Sequence, residues 1–391
     1  MRLHLDRIAN YDDFRRMARK RLPRVVFEFI DGGCGAENAL DEAVAAFARV
    51  KFEPRFMVDV SEREVATTVL GEHVALPIGL APAGMPAIAH SDAELGAARA
   101  AHAAGAIFCL SSVASRSIEQ VAEVTTGPLW MQLFPWRNER DMGRLIERAR
   151  DAGYRALVVT IDSPVGANRE RDLRNGARLP PALRLDHVLN GLRKPRWVLD
   201  YYRRAKPGFA NIVELAGSDD AGACGAYIGI QLLNAAAGWE FFDFVRSRWD
   251  GPVVAKGVLS QHDALAAVGR GADAVWVSSH GGRQLDSTLS PLEALPAIVE
   301  AVGDRIEVFL DGGVRRGEDA VKARALGARA VFVGRPWVMS LAAAGEPGVA
   351  RMLELLRMDV DRTLGLIGVP RFDDVGPEVL VAGARSGAPV A

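Results

Sequence analysis

Cysteine is scarce: Cys34, Cys109 and Cys224 are the only three in 391 residues. They are scattered without C-x-x-C spacing, which excludes a disulfide framework and a cysteine-built zinc site. No charge of one sign prevails, since 48 Lys and Arg face 49 Asp and Glu for a net charge of −1. No nucleic-acid partner is expected from that balance. No apolar run reaches membrane-spanning length, and the N-terminal M-R-L-H-L-D-R-I-A-N carries charges where a signal peptide needs an apolar core. A cytoplasmic protein is expected, with peripheral attachment to the inner face of a membrane left open. A G-x-G-x-x-G after the first strand-like run is also missing, which argues against a nicotinamide dinucleotide. What is present, 49% hydrophobic and 25% charged residues, suits a soluble globular chain long enough for a barrel core.

One phrase recurs along the chain: a small-residue helix end with glycine, a short apolar strand, then a polar or glycine-rich tip. The copies span Leu76–Pro82, Ala106–Ser112, Leu129–Phe134, Ala156–Asp162, Pro252–Gly257, Asp273–Ser279, Ile306–Gly313 and Ala330–Arg335. Alanine-rich helical stretches lie between most of them, as at Asp92–Ala104, Arg140–Ala152, Ser260–Arg270 and Arg316–Leu326. Such alternation fits an α/β fold, either a doubly wound sheet or a (β/α)8 TIM barrel. The tips favour the barrel, because Ser111, Gln132, Thr160 with Asp162, Lys256, Ser278 with His280, Asp311 and Arg335 all follow their strands at the same end. The whole chain, 1–391, reads as a single domain. An N-terminal helical segment over 1–60 has too few apolar residues for a core of its own and covers the barrel. A long insertion after strand four, 166–239, breaks the rhythm.

The nonapeptide S-S-H-G-G-R-Q-L-D (Ser278–Asp286) sets an imidazole and a guanidinium three residues apart after an apolar strand. The two intervening glycines let the backbone turn sharply, so that His280 and Arg283 can point into one cavity. A strand-end histidine by itself is more often a satisfied structural group. Beside Arg283 it suits a base acting on an anionic substrate. D-G-G-V-R-R-G (Asp311–Gly317) and V-G-R-P (Val333–Pro336) look built for phosphate. Glycines admit backbone amides, a helix starts after each tip, and Arg315 and Arg335 supply forked donors. Gly312 and Gly313 could instead serve only a tight turn, but phosphate sites follow strands seven and eight of such barrels unusually often. Lys256 could form a Schiff base, stabilise charge or make a strand-end salt bridge. If the phosphate belongs to a flavin, a cation there would stabilise charge on the reduced ring, with Ser111, Gln132 and Thr160 bonding its polar edge.

S-S-H-G-G-R-Q-L-D, L-D-G-G-V-R-R-G, V-V-A-K-G-V, F-V-G-R-P, L-S-S-V-A-S and R-E-R-D-L-R-N, in their order, resemble the FMN-dependent α-hydroxy acid oxidase/dehydrogenase family. The resemblance runs from K-R-L-P-R-V-V-F-E-F to the C-terminal helices. The stretch H-V-L-N-G-L-R-K-P-R-W-V-L-D-Y followed by F-A-N is most similar to its mandelate dehydrogenase branch. The resemblance implies oxidation of a 2-hydroxy acid, with His280 as base, Asp162 stabilising the imidazolium, and Arg283 and Arg169 holding the carboxylate. It implies FMN held by Pro82, Ala83, Gly84, Ser111, Gln132, Thr160, Lys256 and Ser278. Ribityl and phosphate would fall to Asp311, Gly312, Gly313, Arg315, Gly334 and Arg335. Related enzymes are often homo-tetramers.

Two departures stand out. The family's V-Y-D-Y, whose second tyrosine contacts the substrate carboxylate, reads V-F-E-F and puts Phe29 there; its Q-L-Y, whose tyrosine reaches the substrate hydroxyl, reads Q-L-F and puts Phe134 there. The site could simply be slower, could be more apolar and so favour an aromatic, mandelate-like acid or a masked carboxylate, or could have altered the fate of the reduced flavin, for example toward oxygen. The aromatic acid is the favoured reading. An FMN oxidase acting on an amine, peptide or ester, and an FMN-dependent isoprenoid diphosphate isomerase, are the alternatives. Within the long insertion Arg184, Arg193, Lys194, Arg196, Arg203, Arg204 and Lys206 outnumber Asp186 and Asp200, interleaved with Leu192, Trp197, Val198, Leu199, Tyr201 and Tyr202. That mixture suits an anionic membrane surface, an active-site lid or a subunit contact. Membrane attachment would point to a quinone as electron acceptor, its absence to O2.

Overall fold

A computed structural model of the chain describes residues 5–176, 185–202, 208–232 and 234–382, and of 185–188 the backbone only. A hairpin of β1 (Thr67–Val69) and β2 (Glu72–Val74) precedes eight parallel strands. These are β3 (Ile78–Leu80), β4 (Phe108–Ser111), β5 (Leu129–Leu133), β6 (Ala156–Thr160), β7 (Val253–Val258), β8 (Ala274–Val277), β9 (Glu307–Asp311) and β10 (Ala330–Val333). They close into a barrel, β10 pairing with β3. The strands read as unbroken apolar runs because both faces are covered, by the barrel interior and by the outer helices. Helices Ala93–Ala103, Glu139–Asp151, Gln261–Gly269 and Gly317–Ala325 stand where the alanine-rich stretches predict them. Side chains fix two of their starts: Asn138 accepts from the amides of Arg140 and Asp141, and Ser260 from that of Asp263.

The hairpin is the element that sequence reading passes over. Leu70 and Gly71 turn it with φ of +48° and +79°, the left-handed pair that suits a tight hairpin. Its Val69 and Val74 join Trp130, Trp276, Phe309 and Phe332 in the barrel interior, where the rings of Trp276 and Phe332 lie 3.9 Å apart. The end of the barrel where strands begin is thereby sealed with apolar side chains. The polar strand tips lie at the opposite mouth.

Three helices cover that mouth: α1 (Tyr11–Arg21), α2 (Arg24–Asp31) and α3 (Asn38–Arg49). Phe14 and Ala18 of α1 and Val26, Phe27 and Ile30 of α2 are buried against the core. Beyond Arg49 the chain is not helical, and Phe52 bridges Leu380 instead. The helical cover is therefore shorter than the expected 1–60.

The long insertion is largely helical among its described residues, with helices at Glu170–Arg174, Leu185–Leu192, Pro195–Asp200, Val213–Ala216 and Ala221–Leu232. Several of the residues read as surface-seeking are instead anchors. Trp197 Nε1 donates to the Ile88 carbonyl at 2.7 Å, Asp200 accepts from the amide and hydroxyl of Ser91, and Lys194 Nζ donates to the Lys20 carbonyl at 2.7 Å. Arg184, Arg203, Arg204 and Lys206, and the side chain of Asp186, lie outside what is described.

Candidate active site

A belt of buried polar side chains crosses the ends of six consecutive strands. Ser111 Oγ donates to Gln132 Oε1 at 3.1 Å, and Gln132 Nε2 donates to Thr160 Oγ1 at 2.9 Å. Lys256 Nζ donates to Ser278 Oγ at 3.0 Å and pairs with Asp311 Oδ2 at 3.1 Å, while Ser278 donates to Asp311 Oδ1 at 2.5 Å. A salt-bridged ammonium is a poor nucleophile, so of its three readings Lys256 fits the electrostatic and structural ones. Strand register sets this belt, with Ser111 level with Gln132 and Thr160 with Lys256.

The H-G-G-R loop follows β8. His280, Gly281 and Gly282 have φ of +57°, +65° and +69°, so the sharp turn extends to the histidine itself, where a side chain makes that conformation costly. His280 Nδ1 lies 3.0 Å from Asp162 Oδ1, and its ring lies 6.4 Å from Phe134 with 17° between the planes. Burial works to raise the Asp162 carboxyl, but the charge and hydrogen bond of His280, with Lys256 beyond, hold it below the usual carboxylate range. Asp162 therefore stays ionised at neutral pH and orients the imidazole through Nδ1. Gln284 pins the strand end carrying Asp162, donating to the Asp162 carbonyl at 2.8 Å and to Ser163 Oγ at 2.5 Å. Asp286 accepts from the Ala36 and Ala39 amides at 2.9 and 3.0 Å, tying the loop to the start of α3. Both sit in the H-G-G-R-Q-L-D motif, yet nothing in their spacing discloses these partners.

The two arginines flank Phe29, Arg283 with its guanidinium carbon 5.2 Å from the ring centre and Arg169 at 5.5 Å. Arg283 Nη1 donates to the carbonyls of Phe29 and Gly32 at 2.8 and 3.0 Å. Burial, with the charges of Arg169 and Arg335 adding to it, pushes Arg283 down to about 9. Asp172, a residue the motifs do not single out, pairs with Arg169 at 3.3 Å, and burial raises its carboxyl despite that partner. Positive charge held under desolvation in this way attracts a carboxylate.

After β9, Arg315 donates to the carbonyl of its neighbour Val314 at 2.8 Å and lies 4.7 Å from the ring centre of Tyr11. Gly313 serves packing as well as any ligand: a side chain there would meet the Ala43 carbonyl at 1.9 Å. Gly334 is different, because a side chain there would enter open space at the start of the helix Arg335–Ala344. The Ser279 hydroxyl is buried without a hydrogen-bond partner, and it lies 3.7 Å from the point where a Gly312 side chain would begin. An open cradle at a helix start, an unpartnered hydroxyl and the polar belt together fit a phosphate-bearing heteroaromatic such as FMN. Pro82, Ala83 and Gly84 follow β3 at the same mouth. The side chain of Arg335 donates to three backbone carbonyls, those of Asp31, Gly32 and Gly281, because the end of α2 brings unpaired acceptors beside it.

Residues 18–382 match the model of the family described as FMN-dependent dehydrogenase. An L-lactate dehydrogenase of Caulobacter sp. (strain K31) is 40% identical over 379 residues, 95% of this chain and 98% of that protein. The (S)-mandelate dehydrogenase of Pseudomonas putida is 38% identical over 384 residues, 98% of this chain and 96% of that protein. The crystal structure of the monotopic membrane protein (S)-mandelate dehydrogenase superposes with a TM-score of 0.92 at 38% identity, covering 96% of this chain and 99% of that one. With the motifs, the barrel and these relatives in agreement, the chain belongs to the FMN-dependent dehydrogenase family, that of the α-hydroxy acid oxidases and dehydrogenases, and is an FMN-dependent oxidoreductase.

Proposed function

We propose that this enzyme oxidises an aromatic, mandelate-like 2-hydroxy acid to the 2-oxo acid. The observation that carries the reading is the pairing of Asp162 with His280 at 3.0 Å beside two arginines and two phenylalanine rings. Arg283 and Arg169 hold the substrate carboxylate and fix which face of the α-carbon meets the imidazole. His280 Nε2 accepts the proton that leaves the substrate, and Asp162 stabilises the imidazolium. Phe134 lies beside the imidazole and Phe29 beside both arginines, so an aryl side chain finds apolar surface. When bound, FMN would supply the acceptor for the electron pair and for the second hydrogen lost by the substrate. The residues to hold it are Pro82, Ala83, Gly84, Ser111, Gln132, Thr160, Lys256 and Ser278 at the ring. Asp311, Gly312, Gly313, Arg315, Gly334 and the Arg335 amide would hold the ribityl phosphate. In this reading the whole chain acts as a single domain.

The phenylalanines also favour a second substrate, one whose carboxylate is masked as an ester. Anaerobic mixing with (S)-mandelate, (S)-lactate or a mandelate ester, followed by flavin absorbance, separates them. Rapid bleaching by mandelate is the expected result. Bleaching by the ester alone would mean a masked carboxylate, and a flavin reduced by dithionite but by none of the three would sink the hydroxy acid reading.

Attachment to an anionic membrane surface is part of the proposal. Leu192, Leu199 and Tyr202 of the insertion are 67%, 51% and 68% exposed, beside exposed Arg193 and Arg196, a combination that binds lipid headgroups and acyl chains together. Among the described residues no helix is long and apolar enough to cross a membrane. Co-sedimentation with anionic liposomes is expected, weakening with salt, and with it a quinone as electron acceptor. No salt-sensitive binding would remove this part of the proposal and leave O2 as the acceptor.

A further inference from the structure

Arg335 occupies the V-G-R-P turn after β10, a position that on sequence points its guanidinium at phosphate. All three of its nitrogens instead donate to backbone carbonyls: Nε to Asp31 at 3.2 Å, Nη2 to Gly32 at 2.7 Å and Nη1 to Gly281 at 2.7 Å. Asp31 closes α2, and Gly32 is its C-cap. Helix ends leave carbonyls unpaired and carry partial negative charge, so a buried guanidinium is well matched there. Gly281 lies on the other side, inside the left-handed run that begins at His280. A side chain on Gly281 would start 2.7 Å from Arg335 Nη1, so loop and guanidinium are in direct contact. The Gly32 carbonyl is shared, accepting from Arg283 Nη1 at 3.0 Å as well. Burial, with the charge of Arg315 adding to it, pushes Arg335 down to about 10; its direct hydrogen-bond partners are neutral carbonyls.

A non-glycine residue in the left-handed region persists only where its surroundings hold it. Asp162 holds the His280 ring and Asp286 holds the far end of the loop. The backbone immediately after the histidine is held by Arg335, against the same helix end that holds Arg283. We infer that the Arg335 guanidinium is a positioning device for the base loop, keeping His280 and Arg283 in register with α2, and that the cofactor phosphate is left to Arg315 and to backbone amides. The inference rests on the reading of His280 as base. A phosphate ligand and a loop clamp differ in what a lysine can replace. A lysine keeps the charge that a phosphate needs, but it cannot reach three carbonyls in one plane.

Arg335→Lys and Arg335→Gln distinguish the roles. The preference for FMN over riboflavin, from flavin fluorescence on titrating apoprotein, reports the phosphate contact alone. It is expected to stay within about threefold of wild type in both variants, whereas a neutralised phosphate ligand would lose roughly ten- to a hundredfold. Amide hydrogen exchange over residues 279–284 is expected to quicken by about tenfold or more. Flavin reduction by the hydroxy acid is expected to slow about ten- to a hundredfold without rescue by lysine. A preference lost in the glutamine variant and restored by lysine would overturn the inference, as would unchanged exchange in the loop. Should neither variant fold, Arg315→Gln decides: it is expected to lose the FMN preference by about tenfold or more, and full retention would overturn the proposed division. If wild-type flavin is reduced by no 2-hydroxy acid, the base reading fails, while preference and exchange still test the clamp.

Discussion

Replacement of His280 by glutamine is expected to slow anaerobic flavin reduction by about 10²- to 10⁴-fold, the contribution of a well-placed general base. Glutamine keeps size and polarity and loses the ability to take a proton at neutral pH. The cofactor affinity should change little, because the contacts of the His280 side chain are to Asp162 and Phe134. Stopped-flow reduction with saturating substrate makes the measurement. A variant reduced at a near-wild-type rate would remove His280 from the chemistry and turn attention to another base. A variant that loses FMN as well would mean that the left-handed turn at φ +57° had collapsed, which circular dichroism and flavin titration would reveal.

The second large effect is a gain. Phe29→Tyr and Phe134→Tyr restore the two hydroxyls that the family motifs carry, each worth about 1.5–3 kcal/mol when it reaches a charged or charge-developing group. That corresponds to roughly ten- to a hundredfold per site, and to the product of the two if they act independently. The structure gives each substitution a distinct expected signature. Phe29 lies near both Arg169 and Arg283, so its hydroxyl should lower KM for a free carboxylate. Phe134 is stacked on His280, so its hydroxyl should raise kcat. If neither improves the turnover of mandelate, poor contacts with a free acid do not explain the phenylalanines, and the ester or amine substrates become the ones to pursue.

How much of this was legible in the chain differs by element. The eight strands are plain in sequence, because a parallel barrel buries both faces of each strand and leaves an unbroken apolar run between a glycine and a polar tip. The β1–β2 hairpin is not plain. Its two strands are three residues each, too short for a period to emerge, and its role as a plug depends on the barrel it enters. Trp197 and Lys194 read as surface residues by composition and prove to be anchors, since the carbonyls they meet belong to segments about 110 and 175 residues away.

The candidate site divides along the same line. Residue type and local spacing determined that an imidazole, several guanidiniums, a lysine and glycine-rich tips would gather at one mouth, because barrel strands all end on the same side. Which partner each side chain meets was decided by tertiary structure. Asp162 and His280 are 118 residues apart and Arg335 and Gly32 are 303 apart, distances over which no periodicity carries information. The sequence by itself determined the family, the barrel and the cofactor class. Only the folded chain set Arg335 against the carbonyls of Asp31, Gly32 and Gly281, because those left unpaired at the end of α2 become its neighbours only when α2 lies across the mouth.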